Sequence, residues 1–273
     1  MTTVGSGRFE GKVALVTGAA RGQGRAIALR LASEGADIIG LDICAPIPTV
    51  QYSAASPEDL AETARLVEAE GRSMLAVEGD VRDHAAVEGA IERGVDQFGH
   101  LDVTVANAGI CTAARALEIT AEQWAETISV NLTGAFITAQ ASAKQMIAQG
   151  AGGAIVMTSS VAGLRGLPLL AHYSASKHGV TGLARALANE LADFSIRVNS
   201  VHPTGVKTDM TMPELHELLA ERSDTLGPIF MNALPHPATQ PEDVAAAVAW
   251  LASDEARHIT GVQLPVDLGA LGR

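Results

Sequence analysis

Residues 12–24 read KVALVTGAARGQG, and this stretch decides the fold. Its first part, Lys12–Thr17, is apolar and β-branched, which predicts a buried strand. The glycines that follow lead into AIALRLASEG, whose apolar spacing predicts an amphipathic helix ending at Gly35. Asp37–Asp42 (DIIGLD) predicts a second strand, so this region is interpreted as a strand–helix–strand unit with parallel strands.

Strands and helices alternate along the rest of the chain. Five more strands are predicted at Met74–Glu78, Leu101–Ala106, Ala154–Thr158, Arg197–Val201 and Val262–Val266. Helices are predicted to begin at the caps Ser56, Asp83 and Thr120, to follow Asn131, and to span Tyr173–Ala192 and Pro241–Ala252. Strict alternation gives parallel strands with helices on both faces. The predicted fold class is therefore α/β, with one doubly wound, seven-stranded parallel sheet.

Size and charge narrow the possible functions. The 273 residues, 47% of them hydrophobic, suit one domain, which we place at residues 9–273 after a flexible arm at residues 1–8. The net charge of −12 argues against nucleic acid as a partner, because such binding needs a basic face.

Cysteine use and the pattern of apolar residues indicate where the protein works. Cys44 and Cys111 form no CxxC pair, which favours a reducing compartment, and no metal site is predicted. The opening residues MTTVGSGRFEGK lack a signal-peptide core, and no apolar run reaches the ~18 residues of a membrane span. We therefore expect a cytoplasmic protein without a membrane partner.

The loop TGAARGQG joins the first strand to its helix and has the pattern of a phosphate-binding turn. Glycines permit a tight turn and close backbone approach, and the helix N-terminus offers free N–H groups to a pyrophosphate. The predicted cofactor residues in this loop are Gly18, Arg21, Gly22, Gln23 and Gly24. The absence of a following Gly-Lys-Ser/Thr excludes a P-loop, although a glycine-rich turn without a ligand stays open on this loop alone.

Charged residues beside the loop indicate which dinucleotide is bound. Asp42 ends the second strand, where a carboxylate accepts hydrogen bonds from the adenosine ribose and repels the 2′-phosphate of NADP. Arg21 favours the opposite choice, because a guanidinium in this loop could pair with that phosphate. Asp42 stands at the expected point on the strand, so NAD is the predicted cofactor. Further cofactor residues are predicted at the strand ends: Ile43, Asp80, Val81, Asn107, Ala108 and Gly109.

Tyr173 and Lys177 lie four residues apart, so on a helix they share one face. An ammonium beside a phenol stabilises the phenolate and lowers the pKa of the tyrosine, which suits proton exchange with an alcohol oxygen. Ser160 follows the fifth strand, and its hydroxyl could hold the same oxygen. Alone this pair also describes a solvated helix face. In combination with the glycine loop and the strand-end residues it predicts a reaction site.

Taken in order, TGAARGQG, Asp80, Asn107-Ala108-Gly109, Asn131, Ser160, YSASK and Pro203 resemble the short-chain dehydrogenase/reductases over residues 9–269. The resemblance implies a Rossmann fold and a catalytic tetrad. In that tetrad Tyr173 is the acid/base, Lys177 also holds the nicotinamide ribose, and Ser160 orients the substrate oxygen. Asn131 bends its helix and supports a proton-relay water.

The same resemblance implies two further properties of the chain. Tyr173 and Lys177 also contact the cofactor, and Pro203, Val206 and Thr208 supply nicotinamide contacts, although Thr204 stands where the family usually has glycine. Members commonly form homotetramers through the helices after Asn131 and at Tyr173.

A narrower resemblance concerns the long segment at residues 43–56. This segment, together with HYSASKHGV and VNSVHPTGVKTDM, is similar to the carveol-dehydrogenase-like, mycofactocin-associated subfamily. That subfamily implies nonexchangeable NAD, an alcohol substrate and mycofactocin as redox partner. We expect residues 43–56 to cover the adenosine half of NAD and slow its release.

Residues 209–238 are predicted to be irregular and to form an apolar substrate lid. The apolar residues of the lid are Met210, Met212, Leu215, Leu218, Leu219, Ile229, Phe230 and Met231. Methionines pack adaptably, which suits a small hydrophobic secondary alcohol or its ketone. Two alternatives remain: a ketone reductase using free NADPH, and a catalytically silent NAD-binding protein.

Overall fold

The computed structural model describes residues 7–272 and confirms the predicted seven-stranded parallel sheet, in the order β3-β2-β1-β4-β5-β6-β7. The strands are β1 Val13–Thr17, β2 Asp37–Asp42, β3 Met74–Glu78, β4 Val103–Ala106, β5 Gly153–Thr158, β6 Ile196–Pro203 and β7 Gln263–Val266. β4 begins later than predicted because the Asp102 carboxylate accepts hydrogen bonds from Val13 N at 2.9 Å and Lys12 Nζ at 3.0 Å. β6 runs on to Pro203 because its last residues pair with β7.

Helices cover both faces of the sheet. They are α1 Gly22–Ser33, α2 Pro57–Ala69, α3 His84–Phe98, α4 Ala121–Ile128, α5 Gly134–Gln149, α6 Ala171–Glu190, α7 Pro213–Ala220, α8 Ser223–Leu226 and α9 Pro241–Ala252. The predicted caps are present: Ser56 and Thr120 form capping boxes, and Asp83 accepts from Ala85 N. Each cap satisfies backbone N–H groups that a helix start leaves unpaired.

Alternate residues of each central strand enter two separate cores. Leu15 and Ile39 face the layer of α3, α5 and α6. Val16 and Ile38 face the layer of α1, α2 and α9. Burial on both faces explains why these strands are continuously apolar rather than alternating.

Residues 209–238 differ from the prediction. This segment contains α7, α8 and a 3₁₀ turn at Gly227–Phe230, so the prediction that it is irregular is wrong. Its role as a substrate lid stays a prediction. Pro213 occupies the first turn of α7, where its missing N–H costs no hydrogen bond. Leu215 and Leu219 pack the helix onto an apolar cluster near Tyr173.

The predicted N-terminal arm is only partly described. Residues 1–6 lie outside the described range. Arg8, at its end, pairs with Glu34 at 2.5 Å and with Glu255 at 3.1 Å, which attaches this residue to the domain. None of the helices in residues 7–272 has the length and apolar character needed to cross a membrane.

Two glycines of α3 give a matched test of the packing between α3 and β2. A Cβ on Gly94 would lie 2.1 Å from Ile39 Cδ1 and 2.5 Å from Ile39 Cγ1, whereas one on Gly89 meets nothing within 4 Å. Gly94→Ala should lower the free energy of unfolding by about 1–3 kcal/mol through overpacking. Gly89→Ala should raise it by about 0.5–1 kcal/mol through helix propensity. Urea unfolding measures both, and equal stability of the two variants would contradict this packing.

Candidate active site

An open cleft of about 1030 Å³ lies at the carboxyl edge of the sheet. It opens beside β1 and β4, where the strand order reverses and open α/β sheets bind their ligands. Its lining includes the predicted cofactor residues Gly18, Arg21, Gly22, Gln23, Gly24, Asp42, Ile43, Asp80, Val81, Asn107, Ala108, Gly109 and Thr208. The structure therefore brings together residues that are far apart in the sequence.

The glycine loop leaves backbone exposed to this cleft. Gly18 and Gly22 have φ values of +69° and +55°, which favour glycine. A Cβ on Gly24 would lie 1.8 Å from the Gly18 carbonyl oxygen, so only glycine permits this approach. No side chain caps α1, and the buried Gln23 Oε1 lacks a hydrogen-bond partner in the described chain. These features fit a pyrophosphate held on the helix N-terminus.

Asp42 and Arg21 differ in how they meet the cleft. The Asp42 carboxylate accepts from Ala20 N at 3.0 Å and from Cys44 N at 3.1 Å, which fixes its charge at the end of β2. Arg21 instead donates to the Ser53 carbonyl and lies 3.8 Å from Asp209. The guanidinium is therefore held by acceptors of the chain itself, while the carboxylate stays at the predicted ribose position.

Asp80 and Asn107 are fixed at the ends of β3 and β4. Burial opposes ionisation of Asp80, but hydrogen bonds from Arg82 outweigh it and lower the pKa of the carboxyl. Asn107 donates through Nδ2 to Thr17 O at 3.0 Å and accepts at Oδ1 from Thr158 Oγ1 at 3.3 Å. Asn107 thus joins the ends of three adjacent strands below the cleft.

Ser160, Tyr173 and Lys177 meet beside this cleft. The Ser160 side chain lies near the Tyr173 phenol and acts to lower the pKa of Tyr173. Lys177 is 4% exposed, and its Nζ donates to Thr158 O at 2.9 Å and lies 5.6 Å from the centre of the Tyr173 ring. The predicted reaction residues therefore form one cluster, built from the end of β5 and the start of α6.

The pKa values in this cluster differ from the sequence expectation. Burial raises the pKa of Tyr173, and the Ser160 side chain is the group that opposes the rise. The expectation that Lys177 lowers the pKa of Tyr173 is not met in the chain itself, because burial dominates. The same burial lowers the pKa of Lys177 to about 8.

Asn131 lies in a π-helical turn, Ser129–Thr133, between α4 and α5. Its side chain accepts from Ile110 N at 2.8 Å and donates to Ile110 O at 2.9 Å and Ser176 Oγ at 3.1 Å. A Cβ on Gly109 would lie 3.2 Å from Asn131 Oδ1 and 3.4 Å from Lys177 Nζ. Asn131 therefore links the Asn107-Ala108-Gly109 turn to α6.

Of the three cofactor residues predicted after β6, only Thr208 lines the cleft, where it packs near Gly22. Among the residues that the structure describes, Pro203 and Val206 are not part of the cleft lining. Thr204, at the usual glycine position, donates from its backbone to Val266 O at 3.2 Å and from its hydroxyl to Asn232 Oδ1 at 3.2 Å.

Sequence reasoning missed Tyr52, which lies in the segment at residues 43–56. Its phenol accepts from Cys111 N at 3.4 Å, and burial raises its pKa to about 12. Thr49 anchors the same segment to Glu126 of α4, with its backbone N 3.1 Å from the carboxylate. The segment therefore contacts both Arg21 of the glycine loop and Cys111, which packs near Tyr173. The sequence signal for Tyr52 is that it is one of only two tyrosines in the chain and lies in the long segment at residues 43–56.

An apolar cluster includes the side chain of Tyr173. Its buried members are Cys111, Ala113, Leu170 and Leu215, and its partly buried members are Leu167, Leu169, Tyr173, Met210, Met212, Leu219 and Phe230. Burial raises the pKa of the Cys111 thiol, so this cysteine is a neutral apolar group rather than a nucleophile. The phenol of Tyr173 therefore meets hydrophobic surface.

Comparison with known proteins agrees with this geometry. The (−)-trans-carveol dehydrogenase of Rhodococcus erythropolis is 42% identical over 272 residues, covering 96% of this chain and 98% of that protein. The crystal structure of a short chain dehydrogenase from Mycobacterium paratuberculosis bound to NAD superposes with a TM-score of 0.94, at 46% identity, over 98% of this chain and 100% of that one.

A second solved structure and a family profile give the same result. Carveol dehydrogenase from Mycobacterium avium in complex with NAD has a TM-score of 0.92 at 46% identity, covering 98% of this chain and 100% of that one. The sequence profile of the short chain dehydrogenases matches residues 12–218. The resemblance inferred from the motifs is confirmed, and the chain belongs to the short-chain dehydrogenase family.

Proposed function

We propose that the chain is an NAD-dependent dehydrogenase that interconverts a hydrophobic secondary alcohol and its ketone. The observation that carries this proposal is the contact of Tyr173 with Ser160 and its closeness to Lys177, between a dinucleotide cleft and an apolar cluster. Relatives whose names include carveol dehydrogenase and NAD support both the reaction class and the cofactor.

Each reaction residue has a role that its contacts support. Tyr173 exchanges a proton with the alcohol oxygen at its phenol, and Ser160 orients that oxygen by hydrogen bonding. Lys177 places a positive charge beside the phenol and would bond the nicotinamide ribose of bound NAD. Asn131 keeps the Gly109–Cys111 turn in register with α6. Bound NAD would accept the hydride and add the positive charge that offsets the burial of Tyr173.

NAD rather than NADP is favoured by the fixed charge of Asp42. Its carboxylate is held by two backbone N–H groups at the end of β2 and would repel a 2′-phosphate. Arg21, which could have paired with that phosphate, already bonds Ser53. The alternative of a ketone reductase using free NADPH is therefore disfavoured. The silent NAD-binding alternative is disfavoured by the assembled Ser160, Tyr173 and Lys177.

We further propose that residues 43–56 retain NAD between turnovers, with mycofactocin as the redox partner that reoxidises it. The support is physical: the segment is fastened at Glu126, at Arg21 and at Cys111, and Ile47 is buried in the core beneath it. Release of NAD would require these contacts to open together.

Two properties of the surface support the substrate class and the assembly. The apolar cluster around Tyr173 suits a small hydrophobic alcohol, for which residues 209–238 form the lid. Trp124 of α4 is 47% exposed, and Phe136 and Ile147 of α5 are 37% and 36% exposed. The exposed apolar side chains of α5, the helix that follows Asn131, are consistent with the proposed homotetramer.

Removing the phenolic hydroxyl of Tyr173 tests its assignment as the acid/base of the reaction. Tyr173→Phe should lower turnover of trans-carveol by about 10²–10⁴-fold, because the proton acceptor is lost. Its NAD content and thermal midpoint should stay close to those of the parent protein. Turnover within a few-fold of the parent protein would refute the role of Tyr173.

We expect Lys177 to lower the free energy of unfolding although the reaction needs it. Burial lowers its pKa to about 8 from the usual 10.5, so the unfolded chain binds the proton more tightly than the folded one. Lys177→Met should therefore abolish turnover yet stabilise the nucleotide-free protein near pH 7 by on the order of 1–3 kcal/mol. The gain should be full below pH 8 and vanish as the pH rises toward 10.5. A variant less stable than the parent throughout, measured by urea unfolding, would contradict this account.

The proposed retention of NAD is tested away from the cofactor residues. Glu126→Ala removes the acceptor for Thr49 and should speed NAD release about tenfold, as expected for a lost charged hydrogen bond. Glu122→Ala, on the exposed start of the same helix, is the matched control and should leave release unchanged. Release is followed by exchange of bound NAD for a labelled nucleotide. Equal rates for the two variants would show that the segment does not retain NAD.

A further inference from the structure

The end of β6 holds Ser160 from two directions. The Ser160 carbonyl accepts a hydrogen bond from His202 Nδ1 at 2.8 Å, and the Ser160 hydroxyl donates to the Pro203 carbonyl at 3.4 Å. His202 is 0% exposed, and none of the roles assigned above uses it. A buried imidazole is thus bonded directly to the backbone of a reaction-site residue.

The partners of His202 define its protonation state. A carbonyl oxygen can only accept, so the proton is on Nδ1. Nε2 lies 2.8 Å from Ser200 Oγ, whose hydroxyl donates to it. Burial lowers the pKa of His202 to about 4, so the ring stays neutral and keeps this tautomer at working pH. The ring is therefore a fixed donor toward Ser160.

The backbone of Ser160 has other support that does not depend on His202. Gly163 N donates to the same carbonyl at 2.8 Å, and Ala162 N donates to the Ser160 hydroxyl at 3.1 Å. These bonds close the 3₁₀ turn Val161–Gly163. Loss of the imidazole would leave that turn intact but would remove one of the two bonds by which β6 holds Ser160. The effect expected is on orientation rather than on folding.

We propose that His202 is a positioning residue for Ser160. The Nδ1–H group of His202 fixes the Ser160 peptide so that the Ser160 hydroxyl stays beside the phenol of Tyr173. The proposal rests on the proposed function, in which Ser160 orients the substrate oxygen. Misplacement of a positioning group by about 1 Å can slow chemistry about 10²-fold, so a single hydrogen bond behind the serine is enough to matter.

Substitution of His202 by asparagine or glutamine distinguishes the contribution of Nδ1 from that of Nε2. Asparagine places its amide nitrogen near the position of Nδ1, whereas glutamine reaches the position of Nε2. His202→Leu and His202→Gln should slow reduction of bound NAD by trans-carveol about 10–100-fold in a single turnover. His202→Asn should stay within a few-fold of the parent protein. NAD content and thermal midpoints of all three variants show whether each is folded and loaded.

A double-mutant cycle with Ser160→Ala decides between positioning and a general structural role. If His202 acts through Ser160, His202→Leu should slow the reaction only when Ser160 is present and should have no effect in the Ser160→Ala protein. The proposal would be overturned if His202→Leu slowed the Ser160→Ala protein by the same factor as the parent protein. It would also be overturned if His202→Asn were as slow as His202→Leu. A Ser160→Ala protein with parent activity would instead overturn the assigned role of Ser160, and the proposal with it.

Discussion

Parallel pairing of the strands is the constraint on which the rest of the structure depends. In a parallel sheet all carboxyl ends meet at one edge, so Thr17, Asp42, Asn107 and Thr158 gather although they are distant in sequence. Asn107 bonded to Thr17 and Thr158 is the clearest case, because one amide joins three strand ends.

Burial of the polar cluster Ser160, Tyr173 and Lys177 costs folding free energy, whereas the apolar sheet stabilises the fold. An amine and a phenol are buried beside each other, and burial disfavours the charged form of each. The structure offsets this with a hydrogen bond from Lys177 to the Thr158 carbonyl and with the Ser160 side chain near the phenol, which acts to lower the pKa of Tyr173. A dry, polar cluster of this kind strengthens electrostatic interactions with a bound substrate, which is what proton exchange requires.

Much of this arrangement could be predicted from the sequence. Apolar runs and caps located the strands and most helices, and the position of Asp42 at the end of a strand pointed to the cofactor. The helices of residues 213–226 escaped prediction because four prolines between 209 and 238 suggested irregular structure, whereas tertiary packing of Leu215 decides the outcome. The contacts of Tyr52 and His202 escaped prediction because a contact across the fold leaves no periodicity in the sequence.

Two separate segments border the open cleft, and Arg21 contacts both. It bonds Ser53 of residues 43–56 and lies 3.8 Å from Asp209 at the start of residues 209–238. The central claim is that this cleft holds NAD, and it is tested by denaturing the purified protein and assaying the supernatant for nucleotides. The account predicts close to one NAD per chain and no NADP. Release of NADP, or a chain that carries no nucleotide and fails to bind added NAD, would contradict it.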